Sequence, residues 1–308
     1  MTVVSLFPSA TEVAAALGAT PAAVSHQCDH PPSAAARPTL TGLVRDLDDD
    51  PETIDRIVAY DDVYYLDGDA LAAADPDVVL TQGVCGVCAL DAGLARRGVD
   101  RLDLDATVLD VHADDLDDVL ANVERVAEAI GRPEAGETLR GRLESRIGAV
   151  ADAVPDGASA DLPRVAVLDW TDPLRHGGLW VPDLIRIAGG EPGIVAAGER
   201  SRKIDPEALR GFDPDVIVVG PCGADVREAE RAAVDLLDRA RFDDVSAVRA
   251  GRVYAMDGTA YLNRHSHRVV DTLEALAALL HPDRFEGPGE KVRRVDATAA
   301  TGPADPTD

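Results

Sequence analysis

A chain of 308 residues that is 46% hydrophobic is long enough for two α/β domains, and with 4% aromatic residues its core must be built from Val, Leu, Ile and Ala. Acidic residues number 56 against 30 basic ones, and the resulting formal charge of −26 argues against nucleic acid or an anionic membrane surface as a partner. Lysine occurs only at Lys203 and Lys291, and an acidic, lysine-poor surface suits a protein working in concentrated salt, where screening reduces self-repulsion.

The N-terminal segment runs from Met1-Thr2 into a strand over 3–6, with no basic region, twin arginine or small-residue cleavage site. No apolar run reaches membrane-spanning length, so the expected location is cytoplasmic. A turn at Pro8-Ser9 opens a helix over 10–17 closed by Gly18, with Ser9 as N-cap and Glu12 completing a capping box. Next comes Ser25-His26-Gln27-Cys28-Asp29-His30-Pro31-Pro32. Here an imidazole, a thiol and a carboxylate stand within a few residues, a set that suits a soft or borderline metal or a ligand grip; the bland alternative is a polar loop ahead of Pro-Pro.

Asp75-Pro76-Asp77-Val78-Val79-Leu80 returns as Asp213-Pro214-Asp215-Val216-Ile217-Val218. Each copy follows a short amphipathic segment and runs into a Gly/Cys-rich turn, so two similar α/β halves are expected. The first turn leads into Cys85-Gly86-Val87-Cys88 and the second holds Cys222. A Cys-x-x-Cys at the carboxyl end of a parallel strand is compatible with a redox pair, half a zinc site, part of an iron–sulfur site, or plain packing. If the halves face each other, Cys28, Cys85, Cys88 and Cys222 with His26 form one candidate metal set.

Between the halves, apolar residues recur at helical spacing from Leu116 to Ile130, break at Gly131-Arg132-Pro133, and resume through Val150. The second half starts with a strand over 164–168 and a loop holding His176-Gly177-Gly178-Leu179-Trp180. There the glycines allow close backbone approach and Trp180 offers either a flat ligand wall or a core residue. A helix over 180–188 ends at Gly189-Gly190. Tyr261-Leu262-Asn263-Arg264-His265-Ser266-His267-Arg268 precedes a last helix over 269–280; such a run chelates a metal when extended, contacts an anion when it leads a helix, and is most often a surface loop. The expected domains are an α/β lobe at 1–110, a helical strut at 111–154, a second α/β lobe at 155–285 and a disordered acidic tail at 286–308. There is no Gly-x-Ser-x-Gly, phosphate loop, dinucleotide fingerprint or His-Glu-x-x-His, so the chain reads as a binder and not as an enzyme.

The chain resembles the solute-binding proteins of the iron-complex and vitamin B12 class of ABC transporters, and within them a branch described as cobalamin-binding. The resemblance is carried by Leu6-Phe7-Pro8-Ser9-Ala10-Thr11-Glu12, Ser25-His26-Gln27-Cys28-Asp29, Gln82-Gly83-Val84-Cys85-Gly86-Val87-Cys88, Gly178-Leu179-Trp180-Val181-Pro182, Pro221-Cys222-Gly223 and Asn263-Arg264. It covers roughly residues 1–285. It implies two Rossmann-like lobes with parallel sheets joined by a long backbone helix, the class III periplasmic-binding-protein fold, with a corrinoid or another metal chelate pinched in the inter-lobe cleft. The contacts it implies are drawn from Ser9, His26, Cys28, Asp29, Cys85, Cys88, His176, Trp180, Cys222, Asn263 and Arg264, with His26 or a cysteine as a ligand to the metal. It implies an ABC permease as partner, a monomer, no required cofactor beyond the bound cobalamin or metal ion, and relatives outside the cytoplasm. Two readings compete: a cytosolic metal or iron–sulfur protein using the four cysteines, and a redox enzyme acting through Cys85 and Cys88.

Overall fold

A computed structural model describes residues 1–47, 54–83, 90–154, 162–240 and 242–296. The chain divides into two compact units, Met1–Ala113 with Asp117–Leu143, and Asp114–Leu116 with Glu144 onward.

The first unit runs β1 (Val3–Ser5), α1 (Pro8–Ala16), β2 (Ala23–Val24), α2 (Pro32–Ala35), β3 (Thr41–Leu43), β4 (Ile57–Tyr60), β5 (Tyr64–Asp67), α3 (Gly68–Ala74), β6 (Val78–Thr81), α4 (Ala92–Arg101) and β7 (Thr107–Asp110). Strands β2-β1-β6-β7 form a parallel sheet in that order. Strands β1, β2 and β6 are buried, while the edge strand β7 is only partly covered. An antiparallel sheet, β3-β5-β4, stands beside it, with β5 alternating buried and half-buried residues. Leu6, Leu40, Leu66, Leu71, Leu90 and Leu94 fill the core that joins the two sheets.

Two helices follow, α5 (Leu116–Ala129) and α6 (Pro133–Ala153). The strut is therefore two helices in series. The break falls where Gly131 takes φ +70°, a left-handed conformation that glycine adopts without a Cβ penalty.

The second unit runs β8 (Val165–Thr171), β9 (Leu174–His176), α7 (Val181–Ile187), β10 (Arg202–Lys203), α8 (Pro206–Phe212), β11 (Val216–Val219), α9 (Val226–Ala240), α10 (Ser246–Arg249), β12 (Val253–Met256), a π-helical turn at Gly258–Leu262, α11 (Val269–Leu280) and β13 (Val292–Arg294). The sheet order is β10-β9-β8-β11-β12-β13, with a parallel centre and antiparallel edges. Ala229, Ala233, Leu236 and Leu237 put one face of α9 into the core, the i, i+4, i+7, i+8 stripe of an amphipathic helix.

The repeated Asp-Pro-Asp segment is the same joint in both units. Asp75 and Asp213 end α3 and α8 with φ of 42° and 47°, a left-handed cap that an Asp tolerates better than most residues. The amides of Asp77 and Val78 then donate to the Thr2 carbonyl at 2.9 and 3.2 Å, and those of Asp215 and Val216 to the Arg164 carbonyl at 2.8 and 3.1 Å. Each cap thus feeds a central parallel strand into register beside the first strand of its unit.

Three expectations change. Helix α1 begins at Pro8, because proline suits the first helical position; Phe7 is the N-cap residue, and Ser9 lies inside the first turn without capping it. The segment 261–268 is not a surface loop: Arg264, His265 and Ser266 are buried where the π-turn leads into α11. The polar tail expected from 286 contains an edge strand, since β13 pairs with β12 and Val292 and the following Val295 are buried. Residues 297–308 lie outside the described residues.

Candidate functional site

In a parallel α/β sheet the loops at the carboxyl ends of the strands form the ligand-facing rim. In the first unit the loop after β2 carries Ser25 to Asp29. It is held by a run of hydroxyls: Thr41 donates to Ser25 Oγ at 3.0 Å, and Thr11 donates to Ser5 Oγ at 2.8 Å. The buried Cys28 thiol sits 3.1 Å from Thr11 Oγ1. The side-chain amide of Gln27 donates to the Tyr64 hydroxyl at 2.9 Å. Small hydroxyl residues on β1, α1 and β3 help satisfy this turn locally and hold the loop in shape.

This frame presents His26. Its imidazole is exposed, its Nδ1 lies 2.9 Å from Thr41 Oγ1, and its ring stands 5.7 Å from that of Tyr64. Partial desolvation pushes its pKa below the usual histidine value, which favours the neutral ring. A neutral imidazole whose Nδ1 is engaged by a hydroxyl leaves Nε2 as a donor to a metal. Asp29 is exposed two residues before the Pro31-Pro32 pair. Ser9 is buried, and its hydroxyl has no hydrogen-bond partner among the described residues.

In the second unit the rim is made by the ends of β8, β11 and β12. Gly258 is required there by close approach, because a Cβ would run into the carbonyls of Pro221 and Gly220. Asn263 donates its side-chain amide to the Gly220 carbonyl at 3.0 Å and the Gly258 carbonyl at 3.1 Å, so it ties the β11 and β12 loops together. Arg264 donates to the Thr259 carbonyl at 2.6 Å. Trp180 is 5% exposed, packs its ring at 4.8 Å and a 51° tilt against that of His265, and donates its indole N–H to the Leu262 carbonyl at 3.4 Å. The polar groups of these three side chains are engaged by backbone carbonyls of the β11 and β12 loops. His176 is fully buried, with Nδ1 2.8 Å from the Gly177 carbonyl, and burial holds its pKa at about 4. Cys222 is exposed, and its amide donates to the Asp169 carbonyl at 3.2 Å.

Trp170 was not among the sequence-selected residues. It is 41% exposed at the end of β8, with its indole N–H donating to the Asp172 carbonyl at 2.8 Å. The available signal was an aromatic residue two positions past a buried Val/Leu run, at the strand end where open sheets place their sites. Beside it, Asp169 has a buried Oδ1 without a hydrogen-bond partner among the described residues, and burial raises its pKa.

Cys85 and Cys88 lie outside the described residues. Among the described residues, no three of His, Cys, Asp and Glu gather to hold a metal ion. The metal set of Cys28, Cys85, Cys88, Cys222 and His26 therefore gains no support: Cys28 engages Thr11 while His26 engages Thr41. No described helix is long and apolar enough to cross a membrane.

Residues 3–260 match the model of the periplasmic binding protein family, a match that stops before α11 and β13. The chain belongs to the periplasmic binding protein family. Proteins of this family capture solutes for transport, and the fold expected from the sequence is the one found. A cobalamin-binding protein from Halobacterium salinarum, the same in two strains, is 25% identical over 215 residues, 69% of this chain. The chain spans about half the length of that relative, 55%. Among solved structures, a periplasmic heme-binding protein from Pseudomonas aeruginosa superposes with TM-score 0.71 at 20% identity, covering 96% of this chain and 98% of that one. The periplasmic vitamin B12-binding protein of Vibrio cholerae gives 0.65 at 20% identity, covering 91% and 96%. The heme-binding protein from Roseiflexus sp. RS-1 gives 0.66 at 22%, covering 91% and 98%.

Proposed function

We propose that this protein binds a planar metal chelate of the tetrapyrrole type, a corrinoid or a heme, and delivers it to an ABC permease without transforming it. The observation that carries the reading is His26: an exposed imidazole at the carboxyl end of β2, with Nδ1 engaged by Thr41 and partial desolvation favouring its neutral form. That is the state in which a histidine ligates cobalt or iron. Trp170 supplies an exposed apolar face of the kind a flat macrocycle covers, and the names of the relatives point to the same ligand class.

The test is an absorption titration with hemin, cyanocobalamin and hydroxocobalamin, repeated on His26→Ala. Wild type is expected to shift the spectrum of at least one probe at stoichiometric ratio. His26→Ala is expected to lose the ligation shift while keeping its melting temperature. An unchanged shift in His26→Ala removes His26 as the ligand, and no response from wild type to any probe overturns the reading.

A further inference from the structure

Beyond the last long helix, the chain returns to the ligand-facing rim. Strand β13 pairs antiparallel with β12, in the register Met256–Val292 and Tyr254–Arg294. Val292 and Val295 are buried, and Val295 joins the core of the second unit. One residue before the strand, Lys291 meets Asp257 twice. Its carbonyl accepts from the Asp257 amide at 2.9 Å, and its ammonium donates to Asp257 Oδ2 at 3.0 Å. The Asp257 carboxylate is nearly fully buried, and its other oxygen accepts from the amides of Thr259 at 3.0 Å and Ala260 at 2.7 Å. A buried carboxylate with every oxygen engaged is costly to leave without its cation. Gly289, at φ +83°, bends the chain in a way that favours glycine, and it passes beside the Tyr261 hydroxyl.

We propose that residues 286–296 are a strap that sets the shape of the 257–264 loop, with Lys291 as a positioning residue for ligand capture. Asp257 is the shared node: it organises the turn through two amides and is held through Lys291. The turn in turn fixes Leu262, Asn263 and Arg264, whose bonds to Trp180, Gly220 and Thr259 build the rim. One of only two lysines in the chain is placed where a buried acid needs a cation. The loop-setting role stands on these contacts alone; the role in capture rests on the proposed ligand class.

The experiment compares wild type, Lys291→Met and Lys291→Arg by amide hydrogen exchange at Thr259 and Ala260, and by titration with hemin and hydroxocobalamin. Lys291→Met is expected to speed exchange at both amides and to weaken binding of the responding probe by about three- to tenfold. Lys291→Arg is expected to restore both, because it returns the cation while a general loss of packing would not be rescued. Unchanged exchange in Lys291→Met overturns the strap. Faster exchange with unchanged affinity overturns its role in capture. If wild type answers neither probe, the ligand class fails while the exchange rates still decide the strap.

Discussion

The two rims are built from opposite materials. In the first unit, Ser5, Thr11, Ser25 and Thr41 carry the loop after β2 on neutral hydroxyl bonds, and the residue they display, His26, is exposed. In the second unit, Asp257, Arg264, Trp180 and His265 are buried in or against the loop after β12, and the more exposed Lys291 pairs with Asp257. The difference teaches where functional residues are to be sought. A loop held by small hydroxyls leaves its large side chain exposed. A loop held by large side chains spends them on its own support.

Two tryptophans give the sharpest break of that comparison. Trp180→Ala is expected to cost about 3–5 kcal/mol of stability, since it empties a packed site and leaves the Leu262 carbonyl without its donor. Trp170→Ala is expected to change stability by no more than about 0.5 kcal/mol and to weaken binding of hemin or hydroxocobalamin. Denaturant melts of both variants check the first contrast. Equal losses would erase the distinction between platform and display.

The two histidines sharpen it through pH. His176 titrates at about 4 in the folded protein because burial disfavours its cation, whereas the unfolded chain takes up that proton near pH 6.5. Its contribution is whole above about pH 6.5 and is lost as the pH falls toward 4, up to about 3 kcal/mol. Stability curves from pH 7.5 to 4 should therefore be flatter in His176→Leu than in wild type. His26 is also lowered, but it is exposed, and His26→Ala should leave most of the slope in place.

A smaller effect concerns the surface as a whole. With a formal charge of −26, the melting temperature is expected to rise between dilute buffer and molar potassium chloride, as screening relieves repulsion. Identical melting in both would show that the acidic surface carries no such cost.

The fold was legible where local chemistry and tertiary role agree. The Asp-Pro-Asp repeat announced two like halves because a left-handed Asp cap, a proline stop and a buried strand are all local events. Helix α1 was misplaced by two residues because a capping-box pattern and a first-turn proline competed, and the proline prevailed. Strand β13 was missed because its polar residues face outward, and only Val292 and Val295 betray the buried edge. The antiparallel sheet β3-β5-β4 went unread, although the Asp61-Asp62 turn between Ile57–Tyr60 and Tyr64–Asp67 was a hairpin signal. At the candidate site, the exposed loop that displays His26 was legible from its motif. The exchange of roles between Trp170 and Trp180 was not, since burial of an aromatic depends on what packs over it and not on its neighbours in sequence.

The most direct measurement is the absorption titration of wild type and His26→Ala with hemin and hydroxocobalamin in high salt. A stoichiometric spectral shift in wild type that His26→Ala loses, at an unchanged melting temperature, is the expected result. No shift with either chelate, in protein that melts cooperatively, would contradict the proposed ligand class.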